Sequence, residues 1–333
     1  IGAAYNEFIS FFEILVFAVL FGVIVFLIRR NMMNIKRFQA RELTRWPKLD
    51  ANIILWAEVV LMIAILVMNG TDLALQQKGH PDYPQTGSFL ISGTIAPLFS
   101  GMSTEGLVIL ERSAWWAHIV GIFAFLNYIP YSKHLHIFLA FPNTYFAPLE
   151  PKGKVSNMPA VSEEVKSMLF ETEGSDQEPP DRFGAKDATD LSWKNIMDAY
   201  SCTECGRCSD ACPANMTGKL LSPRKIMMDT RDRMEELGSQ MNGGNEVPDD
   251  GKSLLGDYIT NEELNACTTC NACVEACPVS INPLDIITQM RRYNSMEAAN
   301  TPSQWNDMFN NVENNASPWA YPAEDRMNWA DDD

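Results

Sequence analysis

All eight cysteines of this 333-residue chain lie in two stretches, CTECGRCSDACP from Cys202 and CTTCNACVEACP from Cys267. Each reads C-x2-C-x2-C-x3-C-P. Three thiolates so closely spaced can wrap one iron–sulfur cubane, and Pro213 and Pro278 end the runs in a conformation that lets the last thiolate turn away from its own triplet. Zinc is the other tenant of clustered cysteines, but zinc sites pair two C-x2-C units or add histidines, and no histidine lies near these runs. Two tight groups of four, with no cysteine before Cys202, are metal-ligand arithmetic rather than a disulfide framework. Clusters assemble on reduced thiols, so this half is expected in a reducing compartment such as bacterial cytosol.

In two-cluster ferredoxins the fourth cysteine of each run serves the other cubane. That crossover assigns Cys202, Cys205, Cys208 and Cys277 to one [4Fe-4S] cluster, and Cys267, Cys270, Cys273 and Cys212 to the second. Around the runs, Ser222-Pro223 and Asn282-Pro283 each place a capping residue and a first-turn proline ahead of a helical stretch, RKIMMDTRDRMEEL stopped by Gly238 and LDIITQMRRYNSME. The cysteine-bearing domain, 193–297, is therefore expected to be mainly α-helical. In this it resembles the C-type dicluster ferredoxin component of heterodisulfide reductase and the iron–sulfur domains of anaerobic glycerol-3-phosphate and succinate dehydrogenases.

The elements ahead of the cysteines are of another kind. The net charge of −16 divides into +2 over residues 1–157 and −18 over 158–333. FISFFEILVFAVLFGVIVFLI (Phe8 to Ile28) is long and apolar enough to cross a hydrocarbon layer of about 30 Å. Arginines follow this core where a signal peptide would carry small residues. Further spans are expected at about 51–69 and 114–141, which gives a transmembrane domain over 1–147. Arg29, Arg30, Lys36, Arg37, Arg41, Arg45 and Lys48 mark the first connecting loop as cytoplasmic. Two more crossings return the chain to that side, which places a multi-pass protein in the bacterial inner membrane with its cysteines in the cytoplasm. The fold class is thus an all-α membrane bundle followed by a mainly α-helical dicluster ferredoxin domain, joined by an acidic linker (148–192). The Gly- and Asp-rich stretch Gly238 to Gly251 reads as a surface loop.

Ionisable residues inside a bilayer mark function by default. The third span carries His118, His134 and His136. As one helix, the 18 residues from His118 to His136 make five whole turns, so both rings would share a face about 27 Å apart, with His134 pointing elsewhere. Histidine is a usual axial ligand of haem iron. The bland reading has His134 and His136 interfacial beside Lys133, and His118 packed by Trp115 and Trp116. His80, in the outer loop, reads as surface. Glu13 and Glu58 also lie within spans, and either serves a proton path to quinone or contacts another helix.

The segment HIVGIFAFLNYIPYSKHLHIFLAFP (His118 to Pro142) resembles the last haem-bearing helix of the gamma subunit of respiratory nitrate reductases and of membrane-bound heterodisulfide reductases. The resemblance implies haem b, one or two groups, held by His118 and His136, with menaquinone or ubiquinone as redox partner. The sequence departs from that family in two ways. An earlier helix there supplies the second pair of ligands, yet the first two spans here hold no histidine, and the family has five spans against three. Upstream helices are therefore expected to be missing from this chain.

The tail, 298–333, carries Trp305, Phe309, Trp319, Tyr321 and Trp329, too aromatic for a disordered end; it either packs on the ferredoxin core or docks a partner. NNVENNASPWAYPAEDRMNW resembles the connector that, in related oxidoreductases, leads into a domain with paired CCG motifs. The partner implied is a cysteine-rich (CCG-type) or flavoprotein catalytic subunit. No dinucleotide fingerprint, P-loop or nucleophile constellation appears, and the acidic balance gives no reason to expect nucleic acid. The expectation is an electron-transfer subunit of a quinone-linked oxidoreductase, with a haem-free anchor for a dicluster ferredoxin as the alternative and a redox sensor as a weaker third reading.

Overall fold

The computed structural model of the protein describes residues 2–170, 182–241, 247 and 249–330. It is 68% helical, with no β-strand among the described residues. The chain divides into two compact units. The first is Ile1–Tyr145 together with Tyr200–Arg207, and the second is Phe146–Ala199 together with Cys208–Asp333. The start of the first cysteine run thus packs with the long helices, a grouping that the expected boundaries of 147 and 193 do not contain.

The first unit is built on helices Gly2–Asn31, Arg45–Gln77 and Thr104–Tyr128. Ala4–Asn31, Arg45–Gln77 and Thr104–Tyr131 are long and apolar enough to cross a membrane. Their large apolar side chains point outward: Phe8, Phe21, Phe26, Val120 and Phe123 are all more than half exposed. A surface of this size is unfavourable in water and natural in lipid. Polar side chains turn inward. Glu13 is fully buried, accepting hydrogen bonds from Asn69 Nδ2 at 3.2 Å and from the backbone N–H groups of Ile91 and Ser92 at 2.7 and 3.2 Å. This carboxylate holds the second helix and the following loop to the first helix, so the helix-contact reading of Glu13 is the one its partners support. Buried Glu111 accepts from Tyr83 at 2.9 Å and ties the same loop to the third helix.

The third long helix differs from the expected span. It begins ten residues earlier, at Thr104, where Ser103 caps it by accepting from Gly106 N, and it ends at Tyr128. A short 3-10 turn, Ile129–Tyr131, and extended Ser132 (φ −127°, ψ 158°) follow. Helix His136–Tyr145 is a separate element. Pro130 has no N–H to continue the helical ladder, the chain turns extended at Ser132, and Ser132 Oγ accepts from His134 N to start a new turn. The expectation that His118 and His136 ride one continuous helix face is therefore corrected.

In the second unit, Ser222 accepts from Lys225 N and Asn282 from Asp285 N, capping helices Pro223–Gln240 and Pro283–Arg292, each with proline in its first turn. The first runs two residues past Gly238, the expected stop. A glycine ends a helix readily only by taking the left-handed conformation, and Gly238 does not. The two helices bury Ile226, Met227, Leu237, Ile286, Ile287 and Met290. Buried Arg233 forms a bidentate clamp on Asp187 and Asp250, with bonds of 2.6 to 3.2 Å, and reaches Lys252 O. Gly184, at φ +82°, lies so close to the second helix that a Cβ would meet Gln289 O at 2.2 Å. These two contacts seat the end of the linker on the helices. The linker also contains a helix, Pro159–Phe170; residues 171–181 of it, and 242–246 and 248 of the expected surface loop, lie outside the described residues.

Candidate iron–sulfur and haem sites

The two cysteine runs repeat one backbone path. In the first, Glu204 (φ 56°) and Gly206 (φ 76°) take left-handed conformations on either side of Cys205. In the second, Thr269 (φ 56°) and Asn271 (φ 60°) do the same around Cys270. Each path aims a backbone N–H back at the first sulfur: Glu204 N donates to Cys202 Sγ and Thr269 N to Cys267 Sγ, both at 3.4 Å. Ile281 N does so to Cys277 Sγ, also at 3.4 Å. Such donors stabilise thiolate charge and are one lever on cluster potential. Non-glycine residues at positive φ carry a cost of order 1 kcal/mol or more, accepted here by a site that needs the turn.

Within the second unit, Cys212, Cys267, Cys270 and Cys273 line one small cavity, with Leu221, Leu284 and Ile287 behind them. Cys212 thus stands with the triplet of the other run. No disulfide joins any of the eight cysteines. Burial pushes the Cys273 thiol up to about 12, with Cys267 and Cys212 adding to the rise, and burial raises Cys267 as well. Burial and the neighbouring cysteines thus favour the neutral thiol there when nothing is bound. Among the described residues no three His, Cys, Asp or Glu side chains converge on one ion position. Cys202 and Cys205 lie in the first unit, and Cys208 and Cys277 in the second.

A cation stands behind each run. Arg291, on helix Pro283–Arg292, donates to Leu264 O at 2.5 Å and Cys267 O at 2.6 Å, holding the entry to the second run. The first run is held through a side chain. Lys133, just past the third long helix, pairs with Glu204 between two of the cysteines. Lys133 also donates to Pro47 O at 2.7 Å and lies 4.0 Å from Asp50, which accepts from Tyr128 and from Lys133 N. Burial pulls the Lys133 ammonium below its usual value against the opposing effect of Glu204 and Asp50. Sequence reasoning missed this network because a glutamate between cysteines reads as solvated and Lys133 reads as an interfacial flank.

The histidines separate by their bonds. His118 Nδ1 lies 3.1 Å from Leu61 O, one helical turn from Gly121, whose missing Cβ would meet Leu61 Cδ2 at 2.7 Å. His136 Nδ1 lies 2.9 Å from Lys133 O. In both, a carbonyl lies at Nδ1 and Nε2 is the nitrogen a metal could take, the arrangement usual for metal-bound histidine. His134 instead turns Nε2 toward Glu58, 3.7 Å away, and its ring lies 5.8 Å from that of His136. The donor set thus fits one axial ligand at each of two positions. His80 Nδ1 accepts from Asp82 N in the loop, apart from both.

Comparison with known proteins agrees with the cysteine pattern. Residues 201–281 match the 4Fe-4S dicluster domain family. Along its whole length the chain is 29% identical to the probable iron-sulfur-binding oxidoreductase FadF of Bacillus subtilis (strain 168), covering 47% of that protein. Over 71% of its length it is 30% identical to the EtfAB:quinone oxidoreductase of Syntrophomonas wolfei, covering 34% of it. Over 45% of its length it is 31% identical to a probable membrane-anchored ferredoxin of Chromohalobacter salexigens, covering 24% of it. The chain therefore spans about half or less of the curated relatives it matches. No solved structure matches it.

Proposed function

We propose that this chain is the electron-transfer part of a quinone-linked membrane oxidoreductase. It connects membrane quinone, menaquinone or ubiquinone, with a cytoplasmic catalytic partner of the cysteine-rich (CCG-type) or flavoprotein class through two [4Fe-4S] clusters. The observation that carries this reading is the gathering of Cys212 with Cys267, Cys270 and Cys273 around one cavity, as a crossed dicluster requires. Cys202, Cys205, Cys208 and Cys277 are then the ligands of the other cluster. When bound, each cluster stores and releases one electron. The chain's own residues supply eight thiolates, the N–H groups that stabilise their charge, and the cations behind the runs. Three long helices anchor the site in the lipid, with the arginine- and lysine-rich loop on the cytoplasmic side. His118 and His136 would each offer Nε2 to a haem b, with the second ligands supplied from outside the described residues.

A haem-free anchor that tethers a dicluster ferredoxin is the second reading, favoured by the helix break at Pro130–Ser132, which separates the two histidines. A reduced-minus-oxidised visible spectrum of the detergent-purified complex, with iron and haem quantified together, decides between them. A b-type α band supports the haem-bearing relay. Broad iron–sulfur bleaching alone selects the tethered ferredoxin, and absence of bleaching overturns both.

A further inference from the structure

Buried charge in the first unit converges on the iron–sulfur loop. Lys133 and Glu204 are paired with side chains only 8% and 3% exposed, while Asp50 and Pro47 O complete the ammonium's shell. Both partners belong to the compact unit of the long helices, since Tyr200–Arg207 packs as part of it. A buried pair of this kind is costly to form and more costly to break, because removing one partner strands the other charge. Glu204 is also the residue whose left-handed backbone aims an N–H at Cys202 Sγ. Thr269, its counterpart in the second run, is exposed, and its hydroxyl donates to Thr268 O at 2.7 Å.

We propose that Lys133 is a positioning residue for the first iron–sulfur loop: through Glu204 it pins the Cys202–Cys205 segment to the end of the long helices and sets the charge felt by the cluster held there. The proposal rests on the reading of Cys202 and Cys205 as cluster ligands. It gives the pair two separable effects. As an anchor it orders the loop. As a dipole buried beside a redox centre it shifts the reduction equilibrium in a direction set by which charge is removed, because adding an electron is favoured by a nearby cation and opposed by a nearby anion.

The test is a redox titration followed by electron paramagnetic resonance on the purified membrane complex, comparing wild type with Lys133→Gln, Lys133→Arg and Glu204→Gln. Lys133→Gln is expected to lower the potential of one cluster by a tenfold change in its reduction equilibrium, which is 59 mV for one electron. Glu204→Gln is expected to raise the same cluster's potential, and Lys133→Arg to restore the wild-type value. The other cluster's signal stays in place and serves as an internal standard for folding. Equal shifts in both clusters, no shift in either, or shifts of the same sign in both neutral variants would overturn the proposal. A wild-type complex with no cubane signal would instead sink the reading on which it rests.

Discussion

The two cysteine runs share their spacing, their left-handed turns and their N–H···S bonds, yet they are held by different means. The second is gripped through its backbone by Arg291 from a helix of its own unit, and its loop residue Thr269 is exposed. The first is gripped through the Glu204 side chain by Lys133, and that loop is buried among the long helices. Ligand spacing therefore determines how a cubane can be wrapped, while the anchor behind the loop determines its environment. On the proposed dicluster reading, two sites with the same motif would differ in potential, as a relay that moves electrons in steps requires.

The largest perturbation of this comparison is at the scaffold. Arg233→Met removes the guanidinium that clamps Asp187 and Asp250 and is expected to destabilise the second unit, because taking one partner from an ion pair leaves its charges without their counter-ion. Thermal unfolding should show the second unit's transition falling while the helicity of the first unit persists. The guanidinium holds the Asp250 carboxyl well below the usual carboxylate range. Its stabilisation is thus complete above the ordinary value of about 4 and is lost as pH falls toward the depressed one. The gap in melting temperature between wild type and variant should accordingly shrink on acidification, and a gap that widens would refute the assignment.

Next in size, Arg291→Met removes the donors on Leu264 O and Cys267 O and is expected to cost about 1–3 kcal/mol. Its mark should fall on one cluster only, as faster loss of that signal under mild denaturant; equal loss of both would show that the runs are not independently held. The smallest and sharpest effect compares two glycine substitutions at the same φ. Thr269→Gly relieves a left-handed turn with no charged partner and should stabilise by up to about 1 kcal/mol. Glu204→Gly relieves the same turn but takes the nearer carboxylate from buried Lys133, leaving it Asp50 and Pro47 O, and should destabilise instead. Opposite signs in chemical denaturation support the comparison, and matching signs would break it.

What can be read from the sequence follows from the range of each interaction. Cysteine spacing, the apolar runs and the Ser-Pro and Asn-Pro helix starts are local signals, and the structure has helices at each of those starts. The crossing of Cys212 to the other triplet is expected from the motif and is a long-range placement whose role as ligation is still a proposal. The third long helix departs from its expected span because an 18-residue periodicity does not carry through Pro130, where a local breaker outweighs an attractive spacing. Glu204 with Lys133, and Arg291 with Cys267 O, pair residues 71 and 24 positions apart, and no local pattern marks such pairs. The tail aromatics suit either packing or docking by composition, and Trp305, Phe309, Trp319, Tyr321 and Trp329 are all exposed, which fits docking.

The central claim is that two cubanes are held in crossed fashion, and resonance spectra of the reduced complex carrying Cys212→Ser test it most directly. The account predicts that this variant loses or alters the same cluster signal as Cys267→Ser, leaving intact the signal that Cys202→Ser removes. Loss of the Cys202-dependent signal in Cys212→Ser would contradict it, since each run would then hold its own cluster.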